Sequence, residues 1–373
     1  MAQSFDICIR GAGIVGRTLA LLLAQSGLRV ALVAAPARQG ADVRAYALNA
    51  ASRSTLQALR AWPQEEHATA VAQMQVWADA SGSLSFDAAR EGVEALAWIV
   101  DVPALEQRLQ DAIGFQSQVQ MLDAPVAAPL TIVCEGRASR TRAQFGVDFA
   151  TTPYGQDAIA TRLRCELPHG AVARQWFAAD GSILAFLPLA GREGNSVALV
   201  WSVAHASSSH WLACDEAQFL AALQAASRQT LGRLELAAPR ARWPLVQARA
   251  LRWSGPMNGQ RDQSWVLAGD AAHAVHPLAG QGLNLGLADA VALARTLRRR
   301  ETWRSLADLR PLRAYERERK AQVQLAMLAM DGLQQLFARD GALLAPLRNH
   351  GMTAFDHCAP LKRWASRRAM GVA

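Results

Sequence analysis

The chain has 373 residues, 51% of them apolar and 19% charged, enough for about two domains with their own cores, which excludes a disulfide-stapled mini-protein or a largely disordered chain. Its longest apolar runs, such as Leu19 to Ala24, fall far short of the roughly 18–20 residues that span a membrane. The formal charge is +8, and of 39 basic residues only Lys320 and Lys362 are lysines. No recognition motif with interleaved aromatics accompanies that charge, and the densest basic run, Arg295 to Arg304, lies beside a helical pattern; it reads as a solvated face, and nucleic acid is not an expected partner. The cysteines (Cys8, Cys134, Cys165, Cys214, Cys358) are odd in number and scattered, a pattern of reduced thiols rather than of disulfides or a zinc site. No basic head or small-residue cleavage site surrounds the first apolar segment, so a cytoplasmic chain is expected.

In chain order, Phe5 to Ile9 is a buried-strand pattern, Gly11-Ala12-Gly13-Ile14-Val15-Gly16 follows, Arg17 to Ser26 reads as a helix closed by Gly27, and Val30 to Val33 as a second strand. A G-x-G-x-x-G between a strand and a helix is a dinucleotide fingerprint. The first glycine makes the tight turn, the second lets backbone approach a pyrophosphate, and the third lets the helix pack on the strand. The phosphates then rest on free N–H groups at the helix N-terminus. An acidic residue to hold the ribose is expected at the end of the second strand, yet Val33 is followed by Ala34, Ala35 and Pro36.

Short strand-like runs alternate with turns from 71 to 95 and from 144 to 261, among them Ile183 to Leu189 and Ser196 to Val203,. Pro103 to Ile113 between them reads as a helix, and Leu130 to Cys134 as a strand of the first unit. The expected fold is α/β: a Rossmann-like dinucleotide-binding domain (1–70, 96–143 and 262–320) with an inserted mixed β-sheet substrate domain (71–95 and 144–261) and a C-terminal helical region (321–373),. Trp201 and Trp243 lie in the inserted part, where a substrate wall is expected. The stripe Leu325, Met327, Leu328, Met330, Leu333, Leu336 and Phe337 reads as helix-packing core, with a lipid groove as the alternative.

The most informative run is Trp265 to Asn284. A strand delivers Gly269 and Asp270 to a loop whose segment Pro277 to Gly282 precedes a helix beginning near Leu283. The Asp270 carboxylate suits a polyol hydroxyl. Gly280 and Gly282 let backbone amides approach a flat ring, and the helix start places partial positive charge where an anion develops. His273 and His276 have no third ligand near them in sequence, which weighs against zinc. His205, His210, His350 and His357 read as solvated or core residues.

This run resembles the second FAD motif of the flavin-dependent aromatic-ring monooxygenases, and within them of the ubiquinone-biosynthesis hydroxylases that act on polyprenyl phenols and benzoquinols. The resemblance extends to Arg44–Asn49, Tyr154–Ile159, Pro168-His169-Gly170, Phe186–Leu189, Leu312–Lys320, Asp331-Gly332-Leu333 and Pro360–Arg363. It implies FAD as cofactor, NADH or NADPH as transient reductant, and transfer of one atom of dioxygen to an electron-rich ring carbon, with the hard chemistry carried by the cofactor. By resemblance Pro277, Gly280 and Gly282 form the flavin-ring loop. Gly11, Gly13, Ile14, Val15, Gly16, Arg44, Glu135, Gly136, Gly269, Asp270, Leu283 and Asn284 join them in binding FAD, with Arg44 near the pyrophosphate or the nicotinamide phosphates.

Three positions depart from the family pattern: Ala34 replaces the ribose acid, Glu135-Gly136 stands for Asp-Gly ahead of Ser139 and Arg142, and Val102-Pro103 opens a helix that usually begins with a polar residue or arginine. Each weakens the adenosine-diphosphate half of the site. Two alternatives follow: a flavoprotein acting on a soluble aromatic as hydroxylase or dehydrogenase, and a noncatalytic member serving as a subunit of a biosynthetic complex. A polyprenylated substrate would require peripheral contact at the inner face of the membrane or delivery by a partner. The tail with Lys362, Arg363, Trp364, Arg367 and Arg368 suits an anionic interface, or equally a solvated helix packed on its own domain.

Overall fold

The structure, a computed structural model, describes residues 4–34, 42–77, 83–191, 193–275 and 281–338. Its apolar N-terminal runs build a six-stranded sheet in the order Ser254–Met257, Gln260–Leu267, Leu130–Val133, Ile7–Arg10, Val30–Val33, Val119–Leu122. The last five are parallel, and Ser254–Met257 is an antiparallel edge. Val30–Val33 and Leu130–Val133 are buried along their whole length, as parallel strands covered on both faces must be. In register, Arg10 lies beside Val33 and Val133, and Val133 beside Leu267. The residues that follow (Gly11, Ala34, Cys134-Glu135, Ala268-Gly269) therefore emerge at one edge, the carboxyl end where open α/β sheets bind ligands.

The first helix, Ile14–Ala24, begins three residues earlier than the sequence pattern suggests, and Gly27 beyond its end is left-handed at φ +78°, the backbone that glycine adopts at no steric cost. Helix Val102–Gly114 takes Pro103 in its first turn and buries Val102, Leu105, Leu109 and Ile113, the 3–4 spacing of one apolar face. Helix Gln281–Arg298 packs on the first helix so closely that a Cβ at Gly286 would lie 2.8 Å from Val15 Cγ2.

A nine-stranded sheet combines strands from two parts of the chain. Its order is His273–Ala274, Ala241–Ala250, Phe149–Cys165, Ser196–Ala204, Ile183–Leu189, Val172–Phe177, Gln73–Trp77, Ser83–Asp87, with Leu234–Leu236 beside Phe149–Cys165. The early pair joins through parallel pairing of Gln73–Trp77 with Val172–Phe177. One face, with Ile159, Trp201 and Phe186, packs against Phe219 and Leu223 of helix Glu216–Ala226. The other face, with Ala173, Leu189 and Ala198, packs on Ala45, Ala47 and Ile99 of a three-stranded sheet formed by Ala45–Leu48, Ala97–Asp101 and Ala68–Val71. Arg162 of the large sheet reaches Asp101 at 2.7 Å and ties the two sheets together.

The sheet's two sides separate the tryptophans. Trp201 is buried against Trp211 and Phe219 on the helix-covered face. Trp243 pairs with Ala158 on the side facing the small sheet and is 36% exposed. The C-terminal helix, Leu309–Ala338, runs unbroken across residue 320. Val323 and Met327 are buried in it, whereas Leu325 and Leu328 are exposed, so those two leucines of the apolar stripe do not pack as core. The side chains from Ala329 onward lie outside the described residues.

Candidate functional site

The N-terminal glycines have three different surroundings. Gly11 sits at φ +109°, and a Cβ there would lie 2.5 Å from the Cys134 carbonyl oxygen; one on Gly16 would lie 1.9 Å from the Gly11 oxygen. These two glycines let strand, turn and helix close on one another. Gly13 has nothing within 4 Å of an added Cβ, so its backbone borders open space. It caps the first helix in extended conformation, with no side-chain cap and no acidic residue in the first turn. The first-turn N–H groups of Ile14, Val15 and Gly16 have no intrahelical acceptors and are aligned for an anion.

Two strand ends next to this turn carry carboxylates. Glu135 accepts from Ser139 Oγ at 2.7 Å, Thr141 Oγ1 at 2.5 Å and Thr141 N–H at 3.1 Å, and pairs with Arg10 at 3.3 Å. Burial pushes its pKa up, but the bonds from Thr141 and Ser139 outweigh that and hold it below the ordinary value. Gly136 follows at φ +77°. Asp270 is the opposite case. Gly269, left-handed at φ +62°, turns the chain so that Asp270 is exposed to solvent, and no hydrogen bond reaches its carboxylate among the described residues. Even so, the crowded walls of the cleft raise its pKa by desolvation, partly offset by His273, Arg137 and Arg44 and reinforced by Asp289.

The other site residues are placed as follows. Arg44 is held by both oxygens of Asp42 and lies 3.4 Å from the Tyr46 hydroxyl; burial works against its charge, and Asp42 more than restores it, so its pKa is raised. Asn284 donates to the Ala47 carbonyl at 2.8 Å and accepts from Asn49 N–H at 3.0 Å and Ser52 Oγ at 2.8 Å. It clamps helix Gln281–Arg298 to the segment around Arg44. Gly282 and Leu283 are half-buried in that helix's first turn. Pro277 and Gly280 lie outside the described residues. Ala34 is exposed at its strand end, where a methyl group offers no acceptor. His273 is buried and gives its Nε2 to Asp289 at 2.7 Å; no group of three metal-ligating side chains occurs among the described residues.

Sequence reasoning missed Asp289 and Arg319, both buried. The signal was present: Asp289 interrupts the otherwise apolar run Leu287 to Leu293, and an acid on an apolar helix face needs a buried partner.

A glycine turn opening a helix and a carboxylate that accepts no hydrogen bond among the described residues at a neighbouring strand end, on the carboxyl edge of one parallel sheet, fit a dinucleotide-binding protein. The open backbone at Gly13 fits the pyrophosphate of FAD, and the Asp270 carboxylate fits a hydroxyl of its polyol. The family described as "FAD binding domain" matches residues 82–329. The chain is 31% identical to the 3-demethoxyubiquinol 3-hydroxylase of Escherichia coli, covering 99% of both chains, and 29% identical to a ubiquinone hydroxylase of Rhodospirillum rubrum, covering 98% of this chain and 89% of that one. Among solved structures it is similar to the p-nitrophenol 4-monooxygenase of Pseudomonas putida, with a TM-score of 0.76, 15% identity and 99% of each chain covered. The chain belongs to the FAD binding domain family, within its FAD-dependent monooxygenases.

Proposed function

We propose that this chain hydroxylates the aromatic ring of a polyprenylated phenol or benzoquinol in ubiquinone biosynthesis, using FAD, NADH or NADPH, and dioxygen. The observation that carries this reading is the end-to-end match, at 31% identity, to a hydroxylase of that pathway. Bound FAD supplies the activation of dioxygen. The residues of this chain bind and orient: Gly11, Gly13 and Gly16 with the first-turn amides hold the pyrophosphate, and Asp270 holds a polyol hydroxyl. Arg44, fixed by Asp42, offers positive charge to phosphates, while Asn284 sets the start of the helix whose first turn includes Gly282 and Leu283. The face of the large sheet that bears Ala158 and Trp243 supplies an apolar substrate wall that excludes water.

The division of labour proposed for the chain assigns the cofactor to the six-stranded sheet and the aromatic substrate to the nine-stranded one. Among the described residues no helix is long and apolar enough to cross a membrane. A lipid-soluble substrate then requires contact at the cytoplasmic face of the membrane or with a partner of the pathway. The basic tail from Leu361 to Met370, outside the described residues, is the proposed anchor. Each cation near an acidic surface contributes about 1 kcal/mol, so full-length chain should sediment with anionic vesicles at low salt and a chain cut after Pro360 should not; equal sedimentation removes the tail from the account.

The activity test supplies FAD, NADH or NADPH and a short-chain polyprenyl phenol. Substrate-dependent consumption of the nicotinamide, with one oxygen atom added to the ring by mass spectrometry, supports the reading. Ala34 and the internally bonded Glu135 favour one competing reading, a noncatalytic subunit with weak FAD affinity. In that case the purified chain stays colourless and oxidises no nicotinamide even with FAD in excess.

A further inference from the structure

The turn that carries Asp270 is held from behind by a buried ion cluster. Asp289, on helix Gln281–Arg298, is fully buried and accepts three hydrogen bonds: from Gly269 N–H at 2.9 Å, His273 Nε2 at 2.7 Å and Arg319 Nε at 2.6 Å. Gly269 and His273 bracket Asp270, so one carboxylate fixes both ends of the loop from which Asp270 projects. Arg319 in turn bonds the Leu285 carbonyl at 3.3 Å and Gln322. The His273 ring stacks on Trp253, with centroids 5.2 Å apart and planes 24° apart, which leaves the imidazole little freedom to turn. Arg142 donates to the Ala271 carbonyl at 3.1 Å.

This arrangement is costly to build for shape alone. Buried charges are expensive even when paired, and apolar residues of similar volume often serve stability as well or better. Burial raises the Asp289 pKa, but His273 and Arg319 outweigh it, so the group is held as a carboxylate. The left-handed Gly269 is the residue whose N–H it holds, and that residue determines where the next side chain points. His273 also pairs with Arg249 at the edge of the nine-stranded sheet, so the same cluster connects the turn to the substrate side of the molecule.

We propose that Asp289, oriented by His273 and Arg319, is the positioning residue for FAD binding: it touches no cofactor itself and acts by fixing the Gly269 turn that aims Asp270 at the cofactor's polyol. The proposal rests on FAD being the cofactor of the family. Its consequence is a coupling between two side chains, which a general loss of stability does not produce.

The test is a double-mutant cycle on FAD affinity, read by fluorescence titration of the full chain, with the visible circular dichroism of the bound flavin as a second readout. Asp289→Asn keeps the volume but sets an amide N–H against the donors of its neighbours. It should weaken FAD binding at least tenfold and alter the flavin dichroism. In an Asp270→Ala background the same change should weaken binding less than twofold. His273→Gln, which can still donate to Asp289, should bind within about threefold of wild type. Leu312→Ala, a cavity in the same core at a residue that makes no hydrogen bond to the cluster among the described residues, should lower the unfolding temperature and leave affinity unchanged. Wild-type affinity in Asp289→Asn, or an equal loss in both backgrounds, overturns the proposal. If Asp289→Asn does not fold, His273→Leu takes its place in the cycle with the same expectations. A wild-type chain that binds no FAD contradicts the family cofactor itself, an outcome distinct from either result in the variants.

Discussion

Glu135 and Asp270 stand at the ends of neighbouring parallel strands, two residues past the last paired position in one case and three past in the other, yet the fold treats them in opposite ways. Glu135 is saturated by donors from its own chain, and its pKa is held down. Asp270 has no hydrogen-bond donor among the described residues, and its pKa is pushed up. A carboxylate satisfied internally stabilises the fold; one left unsatisfied in a cleft is disfavoured in its charged form until something binds it. We propose from this comparison that Glu135 serves the integrity of its own strand end and that Asp270 serves the ligand.

The largest break in that comparison is Asp270→Ala. Loss of a hydrogen bond to a charged acceptor costs up to about 3 kcal/mol, so FAD affinity should fall by about a hundredfold in a titration. The raised pKa also means that folding favours the neutral form. Asp270→Asn should therefore raise the unfolding temperature of the FAD-free chain at neutral pH while weakening FAD binding. A variant that loses stability and keeps affinity would reverse the assignment.

Glu135→Gln tests the other half. Its depressed pKa contributes stability that is present above the carboxylate's unfolded pKa and is lost as pH falls through the folded value. The variant should be less stable at neutral pH by about 2 kcal/mol in denaturant unfolding, with the difference shrinking in acid. An equal deficit at all pH values would mean that shape rather than charge matters at Glu135.

The smallest expected change is a gain. Ala34→Glu places an acceptor where the second strand leaves the sheet, and a hydrogen bond of about 1.5 kcal/mol corresponds to about tenfold tighter FAD binding. Unchanged affinity would show that another group already holds the ribose.

Much of this cleft was legible in the sequence, because each glycine of the first motif has one physical job and the strand–turn–helix context says which. The roles read for Gly11 and Gly16 correspond to the contacts at 2.5 and 1.9 Å that an added Cβ would make, and the open space beside Gly13 fits the role read for the second glycine. Which face of the large sheet a residue serves was not legible. Trp201 and Trp243 both lie in strand-like runs where one substrate wall is expected, and only the packing of helix Glu216–Ala226 puts Trp201 on the covered side. Long-range polar pairs were the least visible. Asp289 and Arg319 are 30 residues apart, a spacing that follows no helical or strand period, and the bonds of Asn284 to Ala47, Asn49 and Ser52 each reach back more than 230 residues. The occupation of Glu135 by Ser139 and Thr141 was closer to hand, since those residues open the helix Arg140–Gln144.

The most direct measurement is the dissociation constant of FAD for the wild-type chain and for Asp270→Asn as a function of pH. With an ionised Asp270 accepting from the cofactor and its pKa raised, wild-type affinity should be highest near neutral pH and fall as acidity protonates the carboxylate, at a pH above the ordinary aspartate range. The Asn variant should bind weakly and lack that acid limb. Identical pH profiles for the two proteins, or wild-type chain that retains no FAD at neutral pH, would contradict the account.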